Sequence, residues 1–279
     1  MPRSHQFFRL PTATQHFLAG LLIAVAVFPA PVLARADPPK KAASPTFPDA
    51  VLLSGTLLSL QAGNFDGGGA YGAIRGFGDF GVGTTEHLGG EVVGFDGAFF
   101  CINADGAVTK LRDTDRMPYF ALKRFVPDQP KLTVRDENDA QVTRRLSEAF
   151  APDDVYAVKI TGTFARISLR CVREQKPPYS TLDDALKDKP GLFEKTQIRG
   201  TIVGFRTPRY LGVLQAPEFH FHFIAADRSI GGHALAFTIA DAVVESDRAE
   251  GIIVLTPKRP AKSGSNLSEF LDAKQTLPK

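Results

Sequence analysis

The chain has 279 residues with 33 basic and 30 acidic side chains, and its formal net charge is +3. Three of the basic residues and none of the acidic ones fall within residues 1–36, so 30 basic and 30 acidic residues remain and the rest of the chain is neutral. This balance excludes the strongly basic surface typical of a nucleic-acid-binding protein. The length allows one large domain or two modest ones, and 25 Gly, 20 Pro and 22 Phe favour short strands and turns over long helices.

The first 36 residues have the features of a secretory signal peptide. Two arginines accompany an apolar run at residues 17–28, and Ala34-Arg35-Ala36 then fits a small-x-small cleavage site. The alternative is an uncleaved membrane anchor, which the shortness of the apolar run disfavours. We therefore predict a periplasmic or secreted protein with no membrane contact after cleavage, beginning with a solvated linker at residues 37–50.

Residues 51–150 are predicted to form an N-terminal β-rich domain. The apolar segment 51–61 suits a strand or a short helix. Residues 91–100 indicate two short strands joined by a turn at Asp96-Gly97, and Asp105-Gly106 indicates a second turn of the same kind. This part of the chain is therefore predicted to be a meander.

Residues 151–256 are predicted to form a second, C-terminal domain. Alternating apolar and polar residues at 156–173 predict a strand pair bent at Gly162, and residues 219–225 and 234–244 have the strongest strand patterns of the chain. The predicted fold is therefore α/β but β-rich, with two domains built on mixed β-sheets. Short helices are expected at residues 141–150, at residues 181–187 and, within a basic tail at 257–279, at residues 267–273.

Two cysteines, Cys101 and Cys171, follow the signal peptide. In an oxidising compartment the two thiols could form a disulfide, and two buried free thiols are an equally acceptable alternative. Their spacing does not make them a metal-binding pair. The sequence leaves the choice between disulfide and free thiols open.

Three histidines fall within a window of 14 residues. His220 and His222 are two positions apart on a predicted strand, so their side chains leave the same face, while phenylalanines take the opposite face. An antiparallel return through Gly231-Gly232 brings His233 beside them. Three imidazoles with an open fourth position are typical of a catalytic zinc site on a β-hairpin, although iron or another divalent ion uses the same ligands. The alternatives are an incidental His-x-His strand and a structural zinc site, which normally has four protein ligands.

A zinc ion needs an acid or base nearby, and two residues are candidates. Glu91 follows Gly89-Gly90, where small residues let a ligand approach closely. Arg170 lies on a predicted strand, and because neighbours on a strand face opposite ways, Cys171 cannot enter the same pocket. Taken alone, each candidate has an ordinary alternative, a surface carboxylate for Glu91 and half of a surface ion pair for Arg170.

Several segments together resemble the alpha-acetolactate decarboxylase family, over roughly residues 51–245. They occur in the family's order and are independent of one another, so the resemblance is specific. The segments are Gly78-Asp79-Phe80-Gly81-Val82-Gly83-Thr84, Leu88-Gly89-Gly90-Glu91, Phe95-Asp96-Gly97-Ala98-Phe99-Phe100, Asp105-Gly106, Thr161-Gly162-Thr163-Phe164, Arg170, Pro177-Pro178-Tyr179, Gly200-Thr201-Ile202-Val203-Gly204-Phe205-Arg206-Thr207-Pro208, Pro217-Glu218-Phe219-His220-Phe221-His222-Phe223-Ile224 and Gly231-Gly232-His233.

The resemblance implies a two-domain α/β enzyme, often a homodimer, that makes acetoin and CO2 from 2-acetolactate, a 2-hydroxy-3-keto acid. It implies zinc held by the three histidines, with Glu91 and Arg170 as active-site groups. The zinc would act as a Lewis acid on the enediolate, Arg170 would hold the carboxylate and Glu91 would deliver a proton. Neither NAD nor thiamine is implied.

This chain departs from the family's pattern at two places. Gly89 stands where the family often has Asp, and the family's additional glutamate near the C-terminus has Glu269 as its candidate here. The altered C-terminus favours an alternative function, a zinc-containing protein of this fold that binds a small hydroxy acid without turning it over.

Overall fold

A computed structural model describes residues 49–256 and 266–276 of the chain. The predicted signal peptide, nearly all of the predicted linker and residues 257–265 of the predicted tail lie outside the described residues. Within the described ranges, no helix has both the length and the apolar character needed to cross a membrane.

Strands account for most of the regular structure. In chain order they are β1 (Ala50–Ser54), β2 (Gly69–Ala70), β3 (Phe80–Thr84), β4 (Glu91–Phe95), β5 (Ala98–Ile102), β6 (Val108–Lys110), β7 (Arg116–Met117), β8 (Tyr119–Lys123), β9 (Leu132–Asn138), β10 (Val155–Cys171), β11 (Gly191–Thr207), β12 (Glu218–Ala225), β13 (Gly231–Ala249) and β14 (Gly251–Leu255). The α-helices are α1 (Leu57–Gln61), α2 (Tyr71–Ile74), α3 (Asp139–Ala149), α4 (Leu182–Ala185) and α5 (Leu267–Thr276). Single 3-10 turns occupy Arg75–Phe77, Glu86–Leu88 and Arg209–Leu211.

Two sheets carry the fold. The first has the strand order β14-β1-β8-β3-β4-β5-β6, antiparallel except for the parallel pair of β1 and β14. The second has the order β10-β11-β12-β13-β9, and β10 also pairs with β13. Because β12 pairs with the start of β13 and β10 pairs along most of β13, these four strands close on themselves as a small barrel. The prediction of a β-rich fold with mixed sheets is confirmed.

The predicted domain boundary at residue 150 does not coincide with the point where the chain passes from the first sheet to the second. The strand β9 and the helix α3 precede that position but belong with the second sheet, whereas β14 returns to the first sheet after the barrel is complete. A strand can be adjacent in sequence to one sheet and pair with another because hydrogen bonding, not chain order, decides its sheet. The two-domain division itself stays a prediction.

Several local predictions are confirmed. Asp96 and Gly97 both have positive φ angles, 52° and 76°, as the tight turn between β4 and β5 requires. The predicted helices at 141–150, 181–187 and 267–273 correspond to α3, α4 and α5. The helix α4 begins as expected at Thr181, whose hydroxyl oxygen accepts a hydrogen bond from the Asp184 backbone N–H.

The predicted bend at Gly162 is wrong, because β10 runs unbroken through that position. A β-carbon at Gly162 would lie 2.2 Å from the Asp241 carbonyl oxygen of the neighbouring β13. The glycine therefore serves the close approach of two paired strands rather than a turn. The composition also understates strand length, since β10, β11 and β13 have 17, 17 and 19 residues.

An apolar cluster fills much of the space between the two sheets. Phe80, Val82 and Val93 from the first sheet pack with Phe205 and Ile224 from the second. A separate apolar cluster fills the barrel, and β12 is buried or half-buried on both of its faces. Burial on both faces explains why β12 reads as a run of phenylalanines and histidines rather than as a polar and apolar alternation.

The two cysteines are free thiols. Cys171 packs in the cluster between the sheets, whereas Cys101 packs with the residues on the outer face of the first sheet. Side chains on opposite faces of a sheet cannot bring their sulfur atoms together, so the fold favours free thiols over the disulfide.

Candidate active site

The three predicted histidines meet on the β12–β13 hairpin. His222 is directly opposite His233 in the strand register, and His220 leaves the same face of β12. One ring nitrogen from each histidine lies within 4.8 Å of the others, and the Nε2 atoms of His220 and His222 are 3.1 Å apart. Phe221 and Phe223 point the other way, into the barrel core, as the strand alternation predicts.

The hydrogen bonding of His222 fixes which of its nitrogens faces the cluster. Its Nδ1 lies 2.8 Å from the Val92 carbonyl oxygen of β4, so Nδ1–H donates and Nε2 keeps its lone pair. A backbone carbonyl that orients a histidine in this way is the usual support for a metal ligand. The tautomer of His222 therefore suits metal binding.

Burial keeps all three imidazoles neutral. It lowers the pKa of His220 to about 4, and it lowers the pKa of His222 and of His233 well below the ordinary value. The positive charge of Arg170 acts in the same direction on each of them. Neutral imidazole is the form that coordinates a metal ion, so these residues fit a three-nitrogen metal site.

The structure brings Glu91 to this cluster from the first sheet. It is the first residue of β4, and its Oε2 lies 3.6 Å from the Nε2 of His222. Burial raises the pKa of Glu91 to about 7, although the Arg170 charge and a hydrogen bond from the Val172 backbone oppose the rise. At neutral pH this carboxyl group is therefore divided between its protonated and ionised forms.

Arg170 reaches the same place from β10. It is directly opposite His233 in the pairing of β10 with β13, and its Nε is buried without a hydrogen-bond partner among the described residues. Its neighbour Cys171 faces the core between the sheets, as the strand alternation predicts. Arg170 is thus a cation placed beside the histidine cluster with part of its hydrogen-bonding capacity unused.

The five predicted residues share one cavity of about 330 Å³. One end is polar and holds the histidines, Glu91 and Arg170. The rest is largely apolar, because leucines of α1 and residues around α4 form its wall. The apolar lining residues are Leu57, Leu60, Leu88, Val172, Leu182, Leu186 and Phe219.

Sequence reasoning missed two polar residues that lie beside Glu91 in this cavity, Thr84 and Tyr119. Thr84 is directly opposite Glu91 on β4 and directly opposite Tyr119 on β8, so the three side chains form a row on one face of the first sheet. Strand register is not visible in the sequence, which explains the omission. The one available signal was that Thr84 ends the Gly-rich segment of the family resemblance.

Glu269 does not join the cluster. It lies in the first turn of α5, where its Oε1 accepts a hydrogen bond from the Asn266 side chain, and it is absent from the residues that line the cavity. The helix α5 does reach the region, since Lys274 lies 3.8 Å from Asp183, which lines the cavity.

Comparison with known proteins assigns the family. The family model described as alpha-acetolactate decarboxylase matches residues 52–269. The chain belongs to the alpha-acetolactate decarboxylase family. It is 31% identical to the alpha-acetolactate decarboxylase of Brevibacillus brevis over 253 residues, covering 90% of this chain and 88% of that protein. It is 36% identical to the Bacillus subtilis protein of the same name over 195 residues, covering 68% and 74%.

Solved structures agree with this assignment. The crystal structure of alpha-acetolactate decarboxylase from Bacillus subtilis strain 168 superposes with a TM-score of 0.76 at 29% identity, covering 81% of this chain and 98% of that chain. A Staphylococcus aureus protein of unknown function similar to alpha-acetolactate decarboxylase gives the same TM-score at 26% identity. The family's named members are carbon–carbon lyases, so the chain is an enzyme of that class.

Proposed function

We propose that the protein converts 2-acetolactate to acetoin and CO2 and that its histidines hold zinc. One observation carries the proposal: three neutral imidazoles, a carboxyl group and a guanidinium, supplied by both sheets, converge on a single cavity. Three nitrogen ligands with room for a fourth are the usual arrangement of a catalytic zinc site. The family membership supplies the substrate.

Each residue has a defined task in this reaction. The bond from the tertiary carbon to the carboxylate breaks, CO2 leaves, and the electron pair moves toward the ketone oxygen as an enediolate. A zinc ion, when bound, supplies a Lewis acid that stabilises this negative charge. Arg170 binds the departing carboxylate through its planar donors, and its positive charge stabilises the enediolate.

Glu91 is suited to complete the reaction by protonating the carbon that lost CO2. A general acid works best when its pKa lies near the operating pH, and burial raises the pKa of Glu91 to about 7. Since Glu91 approaches from the first sheet while the histidines approach from the second, it delivers the proton to one face and sets the chirality of acetoin. Solvent then returns a proton to the carboxylate.

A turnover assay with a matched pair of variants tests this function. Purified protein with one equivalent of zinc should release CO2 and acetoin, and a chelator should stop the reaction. We expect Glu91→Gln to lower kcat by roughly 10²- to 10⁴-fold, the usual contribution of general acid catalysis. The control is Glu194→Gln, whose carboxylate pairs with Arg166 on the surface and whose loss should leave kcat unchanged.

Two results would change the assignment. Normal turnover by Glu91→Gln removes Glu91 from the mechanism. Zinc uptake and binding of a hydroxy acid without any acetoin supports instead the binding protein derived from this fold. The convergence of Glu91 and Arg170 on the histidine cluster favours the enzyme, because a site that only binds a ligand has no need of a group that supplies a proton.

Three further predictions concern the protein outside this site. We propose that it is exported to the periplasm or secreted, which a mature N-terminus after Ala36 would support. We propose that it is a homodimer, to be tested by light scattering of the mature protein. We also propose two domains, at residues 51–150 and 151–256, which limited proteolysis can test.

A further inference from the structure

The turn between β3 and β4 has an unusual backbone. His87 and Leu88 are consecutive residues with φ angles of 62° and 56°, in the left-handed region that favours glycine. Two adjacent non-glycine residues persist in that region only when their surroundings hold them there. Residues in such conformations cluster at functional sites, and this turn ends three residues before Glu91.

The surroundings that hold the turn come from two separate segments. The His87 backbone N–H donates to the Phe65 carbonyl oxygen at 2.7 Å, and the Gln175 backbone N–H donates to the His87 carbonyl oxygen at 2.7 Å. The His87 Nδ1 lies 2.5 Å from the Tyr179 hydroxyl oxygen. The Tyr179 hydroxyl donates to the Asp66 carboxylate at 2.7 Å, so its oxygen accepts from the His87 Nδ1–H.

These bonds form a row of linked side chains, His87–Tyr179–Asp66, next in sequence to residues that line the cavity. On one side of it lies Leu88, which is buried and lines the cavity. On the other side, the polypeptide leads from Tyr179 to α4, and Leu182 and Leu186 of that region form part of the apolar wall of the cavity. The Tyr179 ring also packs edge-on against Phe65, with ring centroids 5.2 Å apart.

The turn leads directly into the carboxyl group of the site. Both the Thr85 backbone N–H and the Thr84 hydroxyl donate to the Gly90 carbonyl oxygen, which fixes the backbone just before Glu91. Gly90 itself has no free space, since a β-carbon there would lie 2.3 Å from the Cys101 sulfur. Only Gly89 and Gly90 separate the turn from Glu91, and Gly90 has little room to absorb a displacement of the turn.

We propose that Tyr179 is a positioning residue that, through His87 and Asp66, holds the Glu86–Leu88 turn strained and thereby sets Glu91 against the histidine cluster. Tyr179 does not line the cavity and touches no reacting group. Its effect on catalysis passes through the backbone of the turn. The predicted effects on kcat and on the enantiomeric excess rest on the proposed function. The predicted effect on hydrogen exchange of the turn does not, because it can be measured without turnover.

The test is Tyr179→Phe, which removes both hydrogen bonds and keeps the ring. We expect kcat to fall by about tenfold, because loss of the two hydrogen bonds leaves Glu91 misplaced. KM should be nearly unchanged, because Glu91 acts in the transition state and not in substrate binding. The enantiomeric excess of the acetoin should fall, because a displaced Glu91 no longer protonates a single face. Zinc content should stay at the wild-type value.

Two companion variants separate positioning from general damage. Tyr156→Phe is the matched control, because its hydroxyl accepts a hydrogen bond from the Ala151 backbone N–H away from the cavity, and it should keep wild-type kcat and enantiomeric excess. His87→Asn breaks the same link while placing a residue that tolerates the left-handed backbone. If the link acts as a unit, the double variant His87→Asn with Tyr179→Phe loses no more activity than the worse single variant.

Hydrogen exchange of residues 86–91 gives a readout independent of activity. Tyr179→Phe should exchange these amides faster than wild type, whereas Tyr156→Phe should not. Unchanged exchange together with unchanged enantiomeric excess in Tyr179→Phe overturns the positioning role. A wild-type protein without turnover refutes the proposed function alone, since the exchange experiment still decides whether Tyr179 holds the turn.

Discussion

Two clusters of buried polar groups connect the first sheet to the second, and they differ in how completely the donors of their cations are hydrogen-bonded. Lys123 on β8 is fully buried, and its Nζ donates to the Asp247 carboxylate of β13 at 2.6 Å, to the Asp49 carboxylate and to the Arg124 carbonyl oxygen at 3.0 Å. All three ammonium donors therefore have acceptors. The histidine cluster has no such closure, since the His220 Nδ1 and the Arg170 Nε have no hydrogen-bond partner among the described residues.

This difference distinguishes a buried polar cluster that stabilises the fold from one that can bind a ligand. A buried charge whose partners are all within the protein has no capacity left for a ligand. Neutral imidazoles that converge on one point, beside a guanidinium with an unpartnered Nε, have hydrogen-bonding and coordinating capacity left for a ligand. Removing a residue from the first cluster should therefore affect folding, and removing one from the second should affect function.

The largest effect is expected for His222→Ala. Loss of one of three metal ligands should abolish zinc binding at one equivalent and lower kcat by on the order of 10³-fold or more, because a bound metal supplies several kcal/mol of charge stabilisation. The melting temperature in excess chelator should stay within a few degrees of the metal-free wild type. Metal analysis and turnover decide the matter, and a variant that keeps both zinc and activity removes His222 from the site.

The sequence predicted most of the residues that the structure brings together in the candidate site. His220, His222 and His233 are close in the chain, so strand alternation and one hairpin suffice to bring them together. Glu91 and Arg170 lie far away in the sequence, and only the family resemblance made them strong candidates. Thr84 and Tyr119 stayed hidden because they join the site through the register of β3 with β4 and β8.

The structural cluster was invisible in the sequence. Lys123 ends an apolar strand pattern and is an ordinary surface residue by type, and nothing local predicts that Asp247, 124 positions later, lies beside it. The barrel was hidden for the same reason, since its closure depends on the pairing of β10 with β13 across the chain. Short-range patterns predict elements and turns, but they do not predict which distant strands pair.

The second prediction concerns Lys123→Met. Removing one partner from a buried ion cluster leaves Asp247 without its cation and should cost about 3–5 kcal/mol of unfolding free energy. Urea denaturation at neutral pH measures the loss, and kcat of the folded fraction should be unchanged. The double variant Lys123→Met with Asp247→Leu should recover most of the stability, because an apolar pair needs no desolvated charge. If the double variant is as unstable as the single, the loss arises from packing around Lys123 rather than from the unpaired carboxylate.

The smallest effect is expected for Glu245. It tests whether the stability contributed by the Lys123 cluster depends on burial or on charge pairing alone. Glu245 on β13 pairs with Lys131 at 2.8 Å and with Lys159 at 3.0 Å in a setting that is less buried than that of Lys123, and these two partners lower its pKa. A lowered pKa means that the carboxylate stabilises the fold above its unfolded pKa of about 4.5, and that this contribution disappears as the pH falls through the lower folded value.

Glu245→Gln should therefore lower the unfolding free energy by about 0.5–1 kcal/mol at pH 7, a value typical of an ion pair that water can reach. The difference between wild type and variant should become progressively smaller toward pH 3. Denaturation curves of wild type and variant across that range measure the difference. Glu194→Gln, which removes the partner of Arg166 in a more exposed pair, should show a still smaller difference. A Glu245→Gln loss as large as that of Lys123→Met would mean that pairing alone is sufficient, and that burial is not what distinguishes the structural cluster.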